Sequence, residues 1–153
     1  MLFPTEELKL LYIRAIREVA WEDVSVVTQT SDYQVALRFK ALNGRREFIL
    51  SFDSVNSPEI MALQAQLPFA RGMHGMEPAR RLAVRLNAET PGVKFFLVEA
   101  PTPLLVCSIE AILAAHHRIP NSEVVDAVLR NALQRLEDAI ERAENELSTI
   151  SRH

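Results

Sequence analysis

The chain has 153 residues, 48% of them hydrophobic and 24% charged, which suits one compact domain with a buried core and excludes wholesale disorder. A net charge of −3 argues against sequence-independent binding to nucleic acid, which rests on neutralising phosphates. The single cysteine, Cys107, can close no intramolecular disulfide, and the sequence shows neither a secretory leader nor an apolar run of membrane-spanning length, so a soluble cytoplasmic protein is expected.

Pro4-Thr5 followed by Glu6 and Glu7 marks a helix start, with Thr5 as the expected N-cap. Leu8, Leu11, Tyr12, Ala15, Ile16 and Val19 then recur at helical spacing, predicting an amphipathic helix over about 6–20. From Val24 the period changes to two. Val24 to Phe52 reads as a three-stranded meander, with a turn over Thr28 to Asp32 and a hairpin at Asn43-Gly44. Ile60 to Leu67 is rich in helix-forming Met, Ala, Leu and Gln. Met61, Leu63, Ala65 and Leu67 nevertheless share one strand face, and a strand is the reading chosen, in part on the resemblance that the later stretches carry. Pro78 opens a second helix that should end near Asn87, with Ala79, Leu82, Ala83 and Leu86 facing inward and Arg81 and Arg85 outward. Two strands joined by Pro101-Thr102-Pro103 follow, the second with Ser108 and Glu110 on a face expected to be wet. Asn121 or Ser122 caps a last helix reaching about Leu147. The order α-β-β-β-β-α-β-β-α predicts an α+β fold, a mainly antiparallel sheet with helices packed on it, in a single domain over 1–153.

Three stretches carry a family resemblance: Arg81-Leu82-Ala83-Val84-Arg85-Leu86-Asn87, the turn and aromatic strand Pro91-Gly92-Val93-Lys94-Phe95-Phe96-Leu97, and the strand and amphipathic helix that close the chain. With the element order, they resemble the YbjN-domain family of bacterial proteins, whose members look like type III secretion chaperones in fold. Pro101-Thr102-Pro103 stands where the family often has an acidic Asp-Gly turn. The resemblance implies a small cytoplasmic protein that binds other proteins or works in regulation, commonly as a dimer, and it supplies no catalytic residues.

Side chains with reactive chemistry do not gather into a pattern. His116-His117 are adjacent rather than a helical turn apart, with no HExxH or CxxC beside them. Met73-His74-Gly75-Met76 holds soft and imidazole donors of the kind that suit Cu(I), but reads as a mobile loop. Cys107 falls on the apolar face of its strand and reads as an inert thiol. No catalytic residue, metal or cofactor is therefore expected. Two basic groups stand out: Arg45 and Arg46 beside the Asn43-Gly44 hairpin, with Arg38 and Lys40, and Arg80, Arg81 and Arg85 on the second helix, with Arg71 near by. Either suits an acidic partner segment, and pairing with local carboxylates is the alternative. The expected function is a non-enzymatic protein-binding domain, chaperone-like or regulatory, forming a homodimer and holding a protein or peptide. The alternative is a small-molecule sensor whose pocket Tyr12, Trp21 and Tyr33 would line.

Overall fold

A computed structural model describes residues 5–20, 24–29, 31–41, 46–99, 101–113 and 119–151, with the backbone alone for 24–29 and 151. Its elements are α1 (Thr5–Ala20), β1 (Val24–Gln29), β2 (Gln34–Ala41), β3 (Arg46–Asp53), β4 (Ser57–Pro68), α2 (Glu77–Glu89), β5 (Lys94–Val98), β6 (Leu104–Ile112) and α3 (Ser122–Ser151). The fold is α+β, and the strands run in the order β1-β2-β3-β4-β6-β5. The pairings of β1 with β2, β2 with β3 and β5 with β6 are antiparallel. The chain divides into two compact units, Met1–Leu63 with Glu110–Leu133, and Gln64–Ile109 with Gln134–His153.

In the first unit, α1 buries the stripe Leu8, Tyr12, Ala15 and Ile16. The inward positions of β2 and β3, among them Leu37, Phe39, Phe48 and Leu50, are fully or almost fully buried. Phe39 and Phe48 are partners in register with ring centroids 5.7 Å apart, and Tyr12 lies 5.1 Å from Phe52. Cross-strand aromatic pairs of this kind pin register, because a one-residue slip would turn the whole apolar set outward. The register of β1 against β2 shifts between Val26 and Thr28. The neighbouring valines break the period of two, and a bulge absorbs the extra residue. Thr5 is the first helical residue of α1 rather than the N-cap expected there, and its hydroxyl lies 2.6 Å from Ser54 Oγ. The Leu113 N–H donates to the Glu59 carbonyl at 2.7 Å, tying the chain after β6 to β4.

β4 is a strand from Ser57 to Pro68, longer at both ends than the expected Ile60 to Leu67. Met61, Leu63, Ala65 and Leu67 are buried while the residues between them are half-buried or exposed. One-sided burial with a period of two overrides the helix propensity of Met, Ala, Leu and Gln.

In the second unit, α2 packs Ala79, Leu82, Ala83 and Leu86 inward and runs to Glu89, two residues past the expected end. The Thr90 N–H closes it on the Leu86 carbonyl at 2.9 Å, and the Val93 N–H returns to the Thr90 carbonyl at 3.3 Å. Gly92 has φ +81°, so Thr90-Pro91-Gly92-Val93 fits a type II turn with proline second and glycine third. The outer face of β6 is wet at Glu110, which is exposed, and at half-buried Ser108, but Val106 on the same side is only 2% exposed. Phe96, its partner in register on β5, is 39% exposed, an aromatic–β-branched pair in which the larger ring shields the smaller side chain. α3, which belongs to the first unit up to Leu133 and to the second from Gln134, is 30 residues and about 45 Å long. Asn121 caps it, its Oδ1 accepting the Glu123 N–H at 2.8 Å, and the helix continues four residues beyond the expected Leu147.

Candidate functional site

Three concave surfaces stand out among the described residues, one in the first unit and two in the second; of the latter, a hollow of about 300 Å³ beside Leu67, Phe69 and Leu147 contains none of the arginines expected to meet a partner. In the first unit an open trough of about 330 Å³ lies on the face of β2, β3 and β4 away from the buried core side chains, lined chiefly by Gln34, Ala36, Ser51, Asp53, Ile60 and Ala62. Alternation explains its floor. Ala36 and Ser51 are partners in register with outward side chains, and Ala62 is one of the outward residues of β4. Outward strand positions usually carry long polar groups; three small residues here leave a shallow apolar hollow.

Its one carboxylate, Asp53, is fully engaged. Oδ1 accepts the backbone N–H groups of Val55 at 2.9 Å and Asn56 at 2.7 Å, while Oδ2 accepts Asn56 Nδ2 at 2.9 Å and Gln34 Nε2 at 3.1 Å. Desolvation works to raise its pKa, but the hydrogen bonds from Asn56, Gln34 and Val55 outweigh it and bring the pKa down to about 2. Asp53 therefore builds the β3–β4 turn and has no basicity left near neutral pH. Beside it, Ser54 is fully buried, with Oγ against Thr5 Oγ1 and donating to the Tyr33 carbonyl at 3.3 Å.

In the second unit a groove of about 510 Å³ runs between α2 and the end of α3, lined by Pro78, Arg81, Leu82, Arg85, Asn145, Glu146, Thr149 and Ile150. It contains two of the five arginines expected to meet a partner. Arg80 donates to Glu99 at 2.5 and 3.4 Å and to Glu77 at 3.5 Å. Arg81, 74% exposed in its side chain, reaches Glu77 at 3.8 Å. Arg85 makes a two-pronged bond to Glu146, one arm at 2.9 Å, and Arg142 of α3 pairs with Glu89 of α2. The hydrogen bond and charge of Glu99 raise the Arg80 pKa, and those of Glu146 raise that of Arg85. The same bonds, from Arg80 and Arg85, lower Glu99 and Glu146 despite desolvation acting the other way. Arginines and carboxylates of α2 and α3 thus meet within one chain, the local pairing that stood as the alternative to an acidic partner segment.

Arg46 opens β3 opposite Ala41 and is already engaged within the chain, whereas Arg45, Asn43-Gly44, Trp21 and His116-His117 lie outside the described residues. Tyr12 is fully buried, so it lines none of these hollows. Met73 is 88% exposed and Met76 buried, which divides that loop's sulfurs between solvent and core. Cys107 is fully buried in β6, opposite Phe95. Among the described residues no group of three or more His, Cys, Asp or Glu side chains is placed to hold a metal ion. Sequence reasoning missed the trough. Its signal was small residues at outward strand positions, Ala36, Ser51 and Ala62, where polar side chains are usual.

The architecture is that of a YbjN-like fold. Among solved structures, the chain is similar to the crystal structure of YbjN, a candidate transcription regulator from E. coli, with a TM-score of 0.60, 16% sequence identity, and coverage of 90% of this chain and 91% of that one. No family model matches the sequence. No curated protein matches it either. Among the described residues no helix is long and apolar enough to cross a membrane.

Proposed function

We propose that this chain is a non-enzymatic protein-binding domain, chaperone-like or a regulatory adaptor, that holds an extended polypeptide segment on the outer face of β2, β3 and β4. The observation that carries the reading is the trough itself. Its floor is apolar and small-sided, and its only carboxylate is committed to a turn, so it offers shape and apolar area rather than reactive groups. The likeness to a protein described as a candidate regulator supports a regulatory role and membership of the YbjN-domain family, with its type III secretion chaperone-like fold. The partner is protein rather than nucleic acid, because Arg80, Arg81 and Arg85 already pair with carboxylates of the same chain. The protein acts in the cytoplasm as a homodimer, and its lone cysteine, buried in a strand, suits a reducing compartment.

The test is capture from the native cytosol by wild type, Ala36→Arg and Ala62→Arg. Wild type retains a specific polypeptide and both variants release it. Equal retention by the variants would sink the assignment to this face. A small-molecule-sensing domain is the second reading, favoured by the trough's volume, which reaches the lower end of ligand-site sizes at about 300 Å³. A thermal-shift screen against metabolites separates the two: a shift abolished by Ala62→Arg supports the sensor, and no shift with any ligand removes it.

A further inference from the structure

The strand order ends at β5, and an end strand exposes a row of backbone groups to any passing chain. On β5 that row is occupied by side chains. The Phe95 N–H donates to Asn87 Oδ1 at 2.7 Å, and the Phe95 carbonyl accepts from Asn87 Nδ2 at 2.8 Å. In an antiparallel ladder, successive residues turn their polar groups alternately to one neighbour and the other. With Phe95 committed to Asn87, the groups of Lys94 and Phe96 face β6, while Phe95 and Leu97 share the outward side. Just past the strand, the Glu99 carbonyl accepts from Arg71 Nη2 at 3.1 Å. Side chains thus hold the backbone on either side of Leu97.

A carboxamide offers one donor edge and one acceptor, the pair that a facing strand residue would present. We propose that Asn87 is an edge plug: it takes the hydrogen-bonding place that the β5 edge of a second copy would otherwise fill, and so prevents growth by strand addition. A second copy is the natural occupant because an edge strand pairs antiparallel with itself about a two-fold axis, with no foreign sequence required. β5 is short but sticky, with Phe96 39% exposed and Leu97 and Val98 half-buried. Asn87 is itself exposed, so its bonds can be exchanged for those of an incoming strand. The inference stands apart from the proposed binding role, since it concerns a different edge and predicts a mass above that of wild type, whatever that mass is.

The test compares wild type, Asn87→Ala and Asn87→Asp by hydrogen exchange at the Phe95 amide and by sedimentation over a range of concentration. In dilute Asn87→Ala the Phe95 amide should exchange about tenfold faster or more than in wild type. The sedimenting mass of that variant should climb with concentration above the wild-type value. Adding Phe96→Lys, a charge beside the opened edge, should return the mass to wild type. Asn87→Asp keeps the acceptor and loses the donor, so it should protect the Phe95 amide yet still associate more than wild type. It also decides the matter if Asn87→Ala does not fold. The proposal is overturned if the Phe95 amide in Asn87→Ala stays as protected as in wild type. It is equally overturned if the freed amide brings no rise in mass, or if Asn87→Asp, as the only folded variant, keeps the wild-type mass.

Discussion

Tyr12 and Ser54 are both fully buried, yet their hydroxyls have opposite fates. Burial pushes the Tyr12 phenol up to about 12, and among the described residues its oxygen has no hydrogen-bond partner. An unsatisfied buried hydroxyl costs free energy that its ring does not need to incur. Tyr12→Phe should therefore leave stability unchanged or raise it by up to about 1 kcal/mol, read from the urea midpoint. A clear loss would mean that the hydroxyl is bonded after all. Ser54 joins Thr5 to the Tyr33 carbonyl, which also accepts the Ser54 N–H at 2.9 Å, so Ser54→Ala strands the Thr5 hydroxyl alone and should cost about 1 kcal/mol by the same measurement. The helical spacing of Tyr12 was legible in the sequence, and with it the buried stripe. Ser54 was not, because the residue that makes it matter lies 49 positions away in the chain.

At the scale of elements, what periodicity encodes was readable and what folding brings together was not. The alternation of Met61, Leu63, Ala65 and Leu67 tipped β4 toward a strand against its composition only with the help of the family resemblance, and Pro78 located the start of α2. Arg81 and Arg85 could be placed on one helix face, but the carboxylate that engages Arg85 comes from α3, 61 residues on. Local spacing carries no record of such a partner. The Pro91-Gly92 turn joins both kinds of information. The dipeptide announces a turn, and the fold adds that a Cβ built on Gly92 would stand 2.9 Å from Arg135 Nη1, the group that donates to the Pro91 carbonyl at 3.3 Å. Gly92→Ala then meets positive φ and a crowded guanidinium together, and should lose about 1–2 kcal/mol. Arg135→Ala relieves only the second. If the glycine's main role is backbone conformation, Gly92→Ala should cost nearly as much in an Arg135→Ala background, as a double-mutant cycle in urea would read.

Charges make up 24% of the chain, and acid weakens the interactions of some of them in both units. Asp53, held at about 2 by its turn, belongs to the first unit, and Glu99 and Glu146, both lowered by arginine partners, belong to the second. The sign follows from linkage. A carboxylate whose folded pKa lies below its unfolded value binds its proton more readily in the unfolded chain, so each of these groups stabilises the fold above the ordinary carboxylate range of about 4. That stabilisation is lost as pH falls through the folded pKa. Stability should accordingly be flat from pH 7 to about 5 and fall steadily toward pH 2, with the last part of the fall belonging to Asp53. Salt distinguishes the contributors. The exposed pairs Arg80–Glu99 and Arg85–Glu146 are screened by added salt, whereas the short hydrogen bonds at Asp53 are screened less. Urea unfolding between pH 2 and 7, at low and at 1 M salt, should show salt flattening the decline near pH 4 while the decline toward pH 2 persists. In Asp53→Asn the low-pH decline should be absent, since the amide keeps one acceptor for the turn but has no proton to gain. A variant that still lost stability between pH 3 and 2 as wild type does would place the acid-sensitive group elsewhere.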